Sequence, residues 1–251
     1  MQAEERQRRI EEYLHKVEFA SLDELSERVD ASSSTVRRDL QALEAKGTVK
    51  RTHGGARLTN PRSDEFTFSS RDTHQSNEKE AIGRACAELI HPNQSVILDA
   101  GSTVFHVARY LETKSPQIIT NSLPIANLYS SNSRVEVVLS GGVIYPRLEV
   151  LVGPLAVEAF SRIHADVAVM SSGGITPDGI TNSHGLLIEI QRAMIHAAKR
   201  VIFCLDHTKL GRQSLSPLCG LDSVDVVVTD SKAEPAQIAI LREHGIEVIV
   251  A

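Results

Sequence analysis

The chain has 251 residues, 41% hydrophobic and 24% charged, the composition of an ordinary globular protein with enough apolar residues for a real core. It contains no run of about 18 apolar residues that would span a membrane, and its charged residues 1–10 lack the apolar centre of a secretory signal, so a cytoplasmic protein with no membrane partner is expected. Three widely separated cysteines, Cys86, Cys204 and Cys219, suit reduced thiols better than a disulfide framework or a zinc site.

Ile10, Tyr13, Leu14 and Val17 recur at i, i+3, i+4 and i+7 and predict a first helix. Ser21 followed by Glu24 reads as a capping box opening a second, with Leu22, Leu25 and Val29 facing inward. After a polar break at Asp30-Ala31-Ser32, a third helix carries Val36, Leu40 and Leu43 on one stripe and stops at Gly47, a good residue just past a helix end. A short β-prone run, 48–52, is turned back by His53-Gly54-Gly55-Ala56. Residues 1–58 therefore predict a winged helix-turn-helix.

The net charge of −5 argues against a nucleic-acid binder, but its distribution reverses the argument. Between residues 31 and 58 stand Arg37, Arg38, Lys46, Lys50, Arg51 and Arg57 against only Asp39 and Glu44. A polyanion responds to local fields, not to totals. On the third helix, Ser34, Arg37, Arg38 and Gln41 lie opposite the apolar stripe with Thr35 flanking, as a recognition helix in a major groove requires. Arginine reads guanine bidentately, glutamine reads adenine, and hydroxyls reach phosphate or base. Lys50, Arg51 and His53 on the wing are placed for the adjacent backbone or minor groove. The bland alternative, a solvated Arg-Arg face, fits an isolated pair better than one inside a helix-turn-helix followed by a basic hairpin. A winged helix used only for protein contact is a further alternative.

Residues 59–77 lose all periodicity and read as a linker, although Phe66 and Phe68 are costly to leave in water. From residue 78 onward, β-branched runs at 95–99, 117–120, 135–139, 167–171, 201–205, 226–229 and 247–250 alternate with amphipathic stretches. That alternation predicts an α/β domain over 78–251 with a mostly parallel sheet covered on both faces.

The predicted strand ends carry the chemistry. Asp99-Ala100-Gly101-Ser102-Thr103 leads from a strand into a helix, a place where backbone N–H groups and a helix dipole favour phosphate. Asn121-Ser122, Gly141-Gly142 and Gly173-Gly174 follow other strands, and Asp206-His207-Thr208-Lys209 adds a carboxylate and an ammonium. Ligands of open α/β sheets sit at such ends. One glycine turn is usually a tight connection; several around one sheet edge, with Lys209 among them, point to an anion pocket. Lys209 as a plain surface charge is the alternative. His106, His164, His184 and His207 share no ligand spacing, so neither metal nor cofactor is expected.

Ser34-Thr35-Val36-Arg37-Arg38-Asp39-Leu40, Leu43-Glu44, Gly47 and Arg51-Thr52-His53-Gly54-Gly55-Ala56 resemble the signature of the DeoR family of sugar-metabolism regulators. Asp99, Gly101-Ser102-Thr103, Thr120-Asn121-Ser122, Gly141-Gly142, Gly153-Pro154 and Asp206-His207-Thr208-Lys209-Leu210-Gly211 resemble its effector domain. The turn Ala31-Ser32-Ser33 departs from the family, which more often has a β-branched residue before the first serine. The resemblance implies a sensor similar in fold to ribose-5-phosphate isomerase, a phosphorylated sugar or related intermediate as effector, and control of double-stranded operator DNA. A homo-oligomer, dimer or tetramer, is expected to read paired half-sites. The competing expectation is a sugar-phosphate isomerase with an accessory winged helix. Against it, 172–179 holds only Asp178 as an acid, in a turn-forming Pro177-Asp178-Gly179, and Glu189 alone makes no acid/base pair.

Overall fold

The computed structural model describes residues 3–17, 19–52, 54–58 and 67–251, and the chain divides into two units, Met1–Phe66 and Thr67–Ala251. In the first unit, α1 (Ala3–Val17) buries Ile10 and Leu14. After β1 (Phe19–Ser21), α2 (Leu22–Arg28) opens on the expected capping box. Glu24 N–H donates to Ser21 Oγ at 3.2 Å and Ser21 N–H donates to Glu24 Oε2 at 2.7 Å, satisfying two otherwise orphaned donors. α3 (Ser33–Ala45) is capped by Ser32. It ends where Gly47 turns to φ +80°, Gly47 N–H reaching Glu44 O at 3.0 Å and Thr48 N–H reaching Leu43 O at 3.1 Å. This paired closure needs a left-handed residue after the cap, which glycine adopts without steric cost.

The wing is β2 (Val49–Thr52) with β3 (Gly55–Leu58), and β1 adds to it in an antiparallel order β1-β3-β2. Leu25, Val36, Leu40, Leu43 and Val49 close one small core with the α1 residues. Each such fully buried aliphatic contributes about 1.5–3 kcal/mol.

The second unit begins with α4 (Phe68–Thr73) and α5 (Ser76–Glu88). There follow β4 (Ser95–Leu98), α6 (Ser102–Ala108), β5 (Gln117–Thr120), α7 (Leu123–Tyr129) and β6 (Glu136–Leu139). A hairpin, β7 (Val143–Tyr145) and β8 (Val150–Val152), leads to α8 (Pro154–Ser161) and β9 (Ala165–Met170). The chain continues through β10 (Gly174–Thr176), β11 (Gly179–Asn182), α9 (Gly185–Ala197) and β12 (Ala198–Cys204). It closes with β13 (Ser216–Cys219), β14 (Val226–Thr229), α10 (Pro235–Glu243) and β15 (Glu247–Val250).

Seven of these strands form one parallel sheet, ordered β15-β14-β12-β9-β4-β5-β6. Both faces are covered, and successive residues of β9 serve opposite layers: Val167 and Val169 join one core, Ala168 and Met170 the other. These are the seven runs that the sequence marks as strands. From β4 the chain winds outward to β6, crosses to β9, and winds the other way. The sheet therefore has its switch point between β4 and β9, where ligands of such sheets bind. β10, β11 and β13 form a separate antiparallel sheet. Among the described residues no helix is long and apolar enough to cross a membrane.

The expected linker needs correction over its second half. Thr67 caps α4, its Oγ1 accepting from Ser70 N–H at 3.2 Å, and Phe68 stacks edge-on against Phe105 of α6 with ring centroids 5.4 Å apart. Residues 67–77 therefore belong to the second unit. One buried phenylalanine per two turns gives no periodicity, so the segment reads as a loop. Residues 59–66, Phe66 included, lie outside the described residues.

Candidate DNA-binding and effector sites

Because Val36, Leu40 and Leu43 face the core, α3 turns Ser34, Arg37, Arg38 and Gln41 to solvent. Asp39, which the sequence count sets against the positive charges, points inward. Arg6 Nε donates to its Oδ2 at 2.5 Å, Arg6 Nη2 to its Oδ1 at 3.1 Å, and Gln7 adds a bond at 3.3 Å. The outward face of α3 is thus more basic than the sequence count suggests. Thr35 Oγ1 lies 2.9 Å and Ser34 Oγ 3.0 Å from Ser32 Oγ, so these hydroxyls cluster at the helix start.

On the wing, Lys50 is exposed. Arg51 is engaged differently from the expectation of a direct DNA contact: its backbone N–H donates to Glu44 Oε1 at 3.0 Å and its Nε to Oε2 at 2.6 Å. The backbone N–H, then the guanidinium, hold the Glu44 carboxyl below its usual range. Arg51 braces the wing against the recognition helix. His53 lies outside the described residues.

In the second unit the switch point brings Asp99, Ser171 and Gln191 together. Asp99 is fully buried, and its Oδ2 accepts from Ser171 N–H (3.2 Å), Ser171 Oγ (3.0 Å) and Gln191 Nε2 (3.1 Å). Gln191 Oε1 accepts in turn from Asn182 Nδ2 at 2.8 Å. Burial raises the Asp99 pKa, and these donors oppose the shift. Asp99 thus ties β4, the end of β9 and α9 together through Oδ2. Gly101 serves space: a Cβ there would stand 1.8 Å from Ser171 Oγ. It caps α6 without a side-chain acceptor, and the buried Ser102 and Thr103 form the first turn above it.

Asp206 caps the single turn His207–Lys209, accepting from the Thr208 N–H at 3.0 Å and from its hydroxyl, so its carboxylate is also committed locally. Gly173 and Gly174 let the following loop approach: a Cβ on them would meet Ser214 Oγ at 2.4 Å and Arg212 O at 2.1 Å. Ser122 caps α7. Asn121 donates to Leu151 O at 3.0 Å, while its buried Oδ1 accepts from no donor among the described residues. Gly141 and Gly142 form an exposed turn beyond the edge strand β6, with positive φ at both.

Besides Lys209, which the sequence singles out, basic side chains from other elements act on these strand ends. Burial lowers the Lys209 pKa; Asp206 opposes, and the charges of Arg212 and Arg71 lower it further. Burial, then Arg71 and Arg147, lower that of His184. Arg71 comes from α4, Arg147 from the β7–β8 turn, whose carbonyl accepts from Phe68 N–H at 3.3 Å, and His184 from the start of α9. These residues carry no motif; they meet only through tertiary packing. The one signal in sequence was a cation on an apolar-flanked segment, Phe66 to Arg71, that would otherwise be a linker. Lys79, also buried, donates to Arg71 O and, at 2.6 Å, to His74 O, fastening the C-terminal end of α4, and burial brings its pKa down to about 8.

A basic recognition helix on a winged head, joined in one chain to a parallel-sheet domain whose switch point gathers polar loop residues, defines a ligand-responsive DNA-binding transcriptional regulator. The DeoR-like helix-turn-helix domain matches residues 6–62 and the DeoR C terminal sensor domain residues 74–231. The chain is 34% identical over 249 residues to the HTH-type transcriptional regulator GolR of Listeria innocua, covering 98% of both chains. It is 34% identical to the HTH-type transcriptional repressor GlcR of Bacillus subtilis, covering 100% of this chain and 97% of that one. To the glycerol-3-phosphate regulon repressor of Escherichia coli it is 30% identical, over 98% of each. Among solved structures, ribose 5-phosphate isomerase A of Methanocaldococcus jannaschii shows a partial likeness, with a TM-score of 0.39, 13% identity, and 53% and 54% of the two chains covered. The chain belongs to the DeoR family of transcriptional regulators.

Proposed function

We propose that this regulator represses a carbohydrate operon in the cytoplasm, and that a phosphorylated sugar or related intermediate bound at the β4–β9 switch point sets its grip on operator DNA. The observation that carries the proposal is the charge gathered at these strand ends: the Arg71 and Lys209 charges act on each other, while the carboxylates Asp99 and Asp206 are already committed to local donors. Mutually repelling cations in a partly desolvated site are stabilised by a multiply charged anion. The sugar hydroxyls would find acceptors such as Asn121 Oδ1. Two relatives are repressors by name, one of a glycerol-3-phosphate regulon, which supports a phosphorylated signal.

The pocket binds without turnover on this reading. Asp178 is exposed in the turn between β10 and β11, and Glu189 is exposed and paired with Arg192 at 3.0 Å, so neither supplies an acid/base pair with the buried, saturated Asp99. The active form is a homo-oligomer. Val138 and Leu139 of the edge strand β6, and Val143 and Ile144 of β7, are exposed large apolar side chains that a second copy would cover.

The test is a thermal-shift screen of the full chain against phosphorylated sugars, each paired with its unphosphorylated parent. Stabilisation confined to phosphorylated members and abolished by Lys209→Ala is the expected result. No shift with any member would remove the phosphosugar from the proposal.

A further inference from the structure

Arg71 stands apart from the other cations of the crevice in two respects. Its Nε is buried without a hydrogen-bond partner, and among the described residues its guanidinium forms no ion pair with a carboxylate. A guanidinium nitrogen buried in that state is costly, and native structures keep such groups where something else completes them. Asp99, the acid whose charge it feels, already accepts from Ser171 and Gln191 through Oδ2. Lys209, whose ammonium also forms no ion pair among the described residues, is close enough to be repelled by it. Two cations, one forked and one a point charge, thus stand within electrostatic reach of each other on different elements.

The second respect is position in the chain. Arg71 is carried by α4, the first element of the sensor unit after residue 66. Local devices hold α4: the Thr67 cap, the Phe68–Phe105 contact, the Lys79 ammonium on its last carbonyls, and a bond of 3.1 Å between Asp72 and His106. None of them neutralises Arg71.

We propose that Arg71 is an effector ligand, its guanidinium gripping the anionic group of the bound metabolite together with Lys209, so that α4, the helix next in sequence to the DNA-binding head, is tightened when the sensor fills. This rests on the reading of the crevice as an anion site and adds the residue through which occupancy reaches the head. Lys209 anchors the anion to the sheet; Arg71 anchors it to α4. An anion bound between them ties α4 to the strand ends by a link that is absent in the empty protein.

Inorganic phosphate is the probe, titrated calorimetrically into the full-length protein at constant ionic strength, with amide hydrogen exchange followed across α4. Wild type and Arg134→Gln, a charge-matched change on an exposed loop, are expected to bind alike. Arg71→Gln is expected to bind about tenfold more weakly or worse, as loss of a charge-assisted bond implies, and phosphate should slow exchange in α4 only where Arg71 is present. Arg71→Lys, which keeps the charge and stem but loses the fork, covers the case in which the glutamine variant unfolds; several-fold weaker binding with unchanged circular dichroism supports the proposal. Wild-type phosphate affinity in Arg71→Gln or Arg71→Lys overturns it while leaving the anion pocket standing. Tight binding with no change of exchange in α4 overturns the coupling role. Absence of phosphate binding by wild type overturns this inference and the anion reading together.

Discussion

Gly101→Ala tests the architecture of the switch point most directly. Gly101 has an ordinary backbone conformation, φ −74° and ψ 142°, so alanine is resisted only by lack of room. Its Cβ would stand 1.8 Å from Ser171 Oγ and 2.6 Å from Ser171 Cβ, whereas the next neighbour, Val104 Cγ2, is at a comfortable 3.6 Å. Relief requires Ser171 to move, which breaks its hydroxyl bond to the buried Asp99. Loss of one bond to a charged group costs about 1.5–3 kcal/mol and residual overpacking about 1–3 kcal/mol. The sensor unit should therefore lose about 2.5–6 kcal/mol, which at a urea m-value of about 2 kcal/mol/M moves its midpoint down by roughly 1.3–3 M. The chain has no tryptophan, so the transition is followed by far-UV circular dichroism. Ser171→Gly removes both clashing atoms, and in that background the added methyl should cost less than about 1 kcal/mol. A wild-type midpoint for Gly101→Ala, or an undiminished loss in the Ser171→Gly background, would refute the reasoning.

Arg38→Ala should weaken operator binding by about tenfold or more if Arg38 reads a guanine, while leaving the fold intact, as fluorescence anisotropy with a labelled operator would show; unchanged affinity removes Arg38 from the recognition set. Asp166 is held down to about 2 by the Lys199 ammonium and by the N–H and hydroxyl of Ser95. Its folded value lies below the unfolded 3.8, so its stabilisation is complete above that pH and lost as pH falls toward about 2. Urea midpoints should therefore differ between wild type and Asp166→Asn at pH 7 and converge near the lower limit. Ile144→Lys, on the exposed β7, should shift sedimentation toward a smaller species, and an unchanged sedimentation coefficient would place the subunit interface elsewhere.

The parallel sheet was legible because its strands are buried on both faces and stand out as apolar runs of four or more residues; β5, β14 and β15 fall where the runs begin and end. The short antiparallel strands were not. β1 is three residues between two helices and exists as a strand because it pairs with β3, a partner more than thirty residues away in sequence. β7, β8, β10 and β11 likewise owe their conformation to a neighbour and not to their own alternation. At the site, glycines and hydroxyls announced themselves as loop chemistry, yet Asp99 and Asp206 proved to be internal braces. Charge placement depends on which side chains converge in space, so Arg71, Arg147 and His184 became visible only once α4 and the β7–β8 turn were folded against the sheet.

Since Glu44 grips both the backbone and the side chain of Arg51, wing and recognition helix present DNA with one fixed outline. A head fastened in this way offers a metabolite little to work on within itself. In the homo-oligomer proposed above, regulation would then act on the spacing between two heads, which either stand a whole number of helical repeats apart or fail to engage both half-sites at once. For promoters under this protein's control, the distance between half-sites would tune the sharpness of the response, and the bases within them its address.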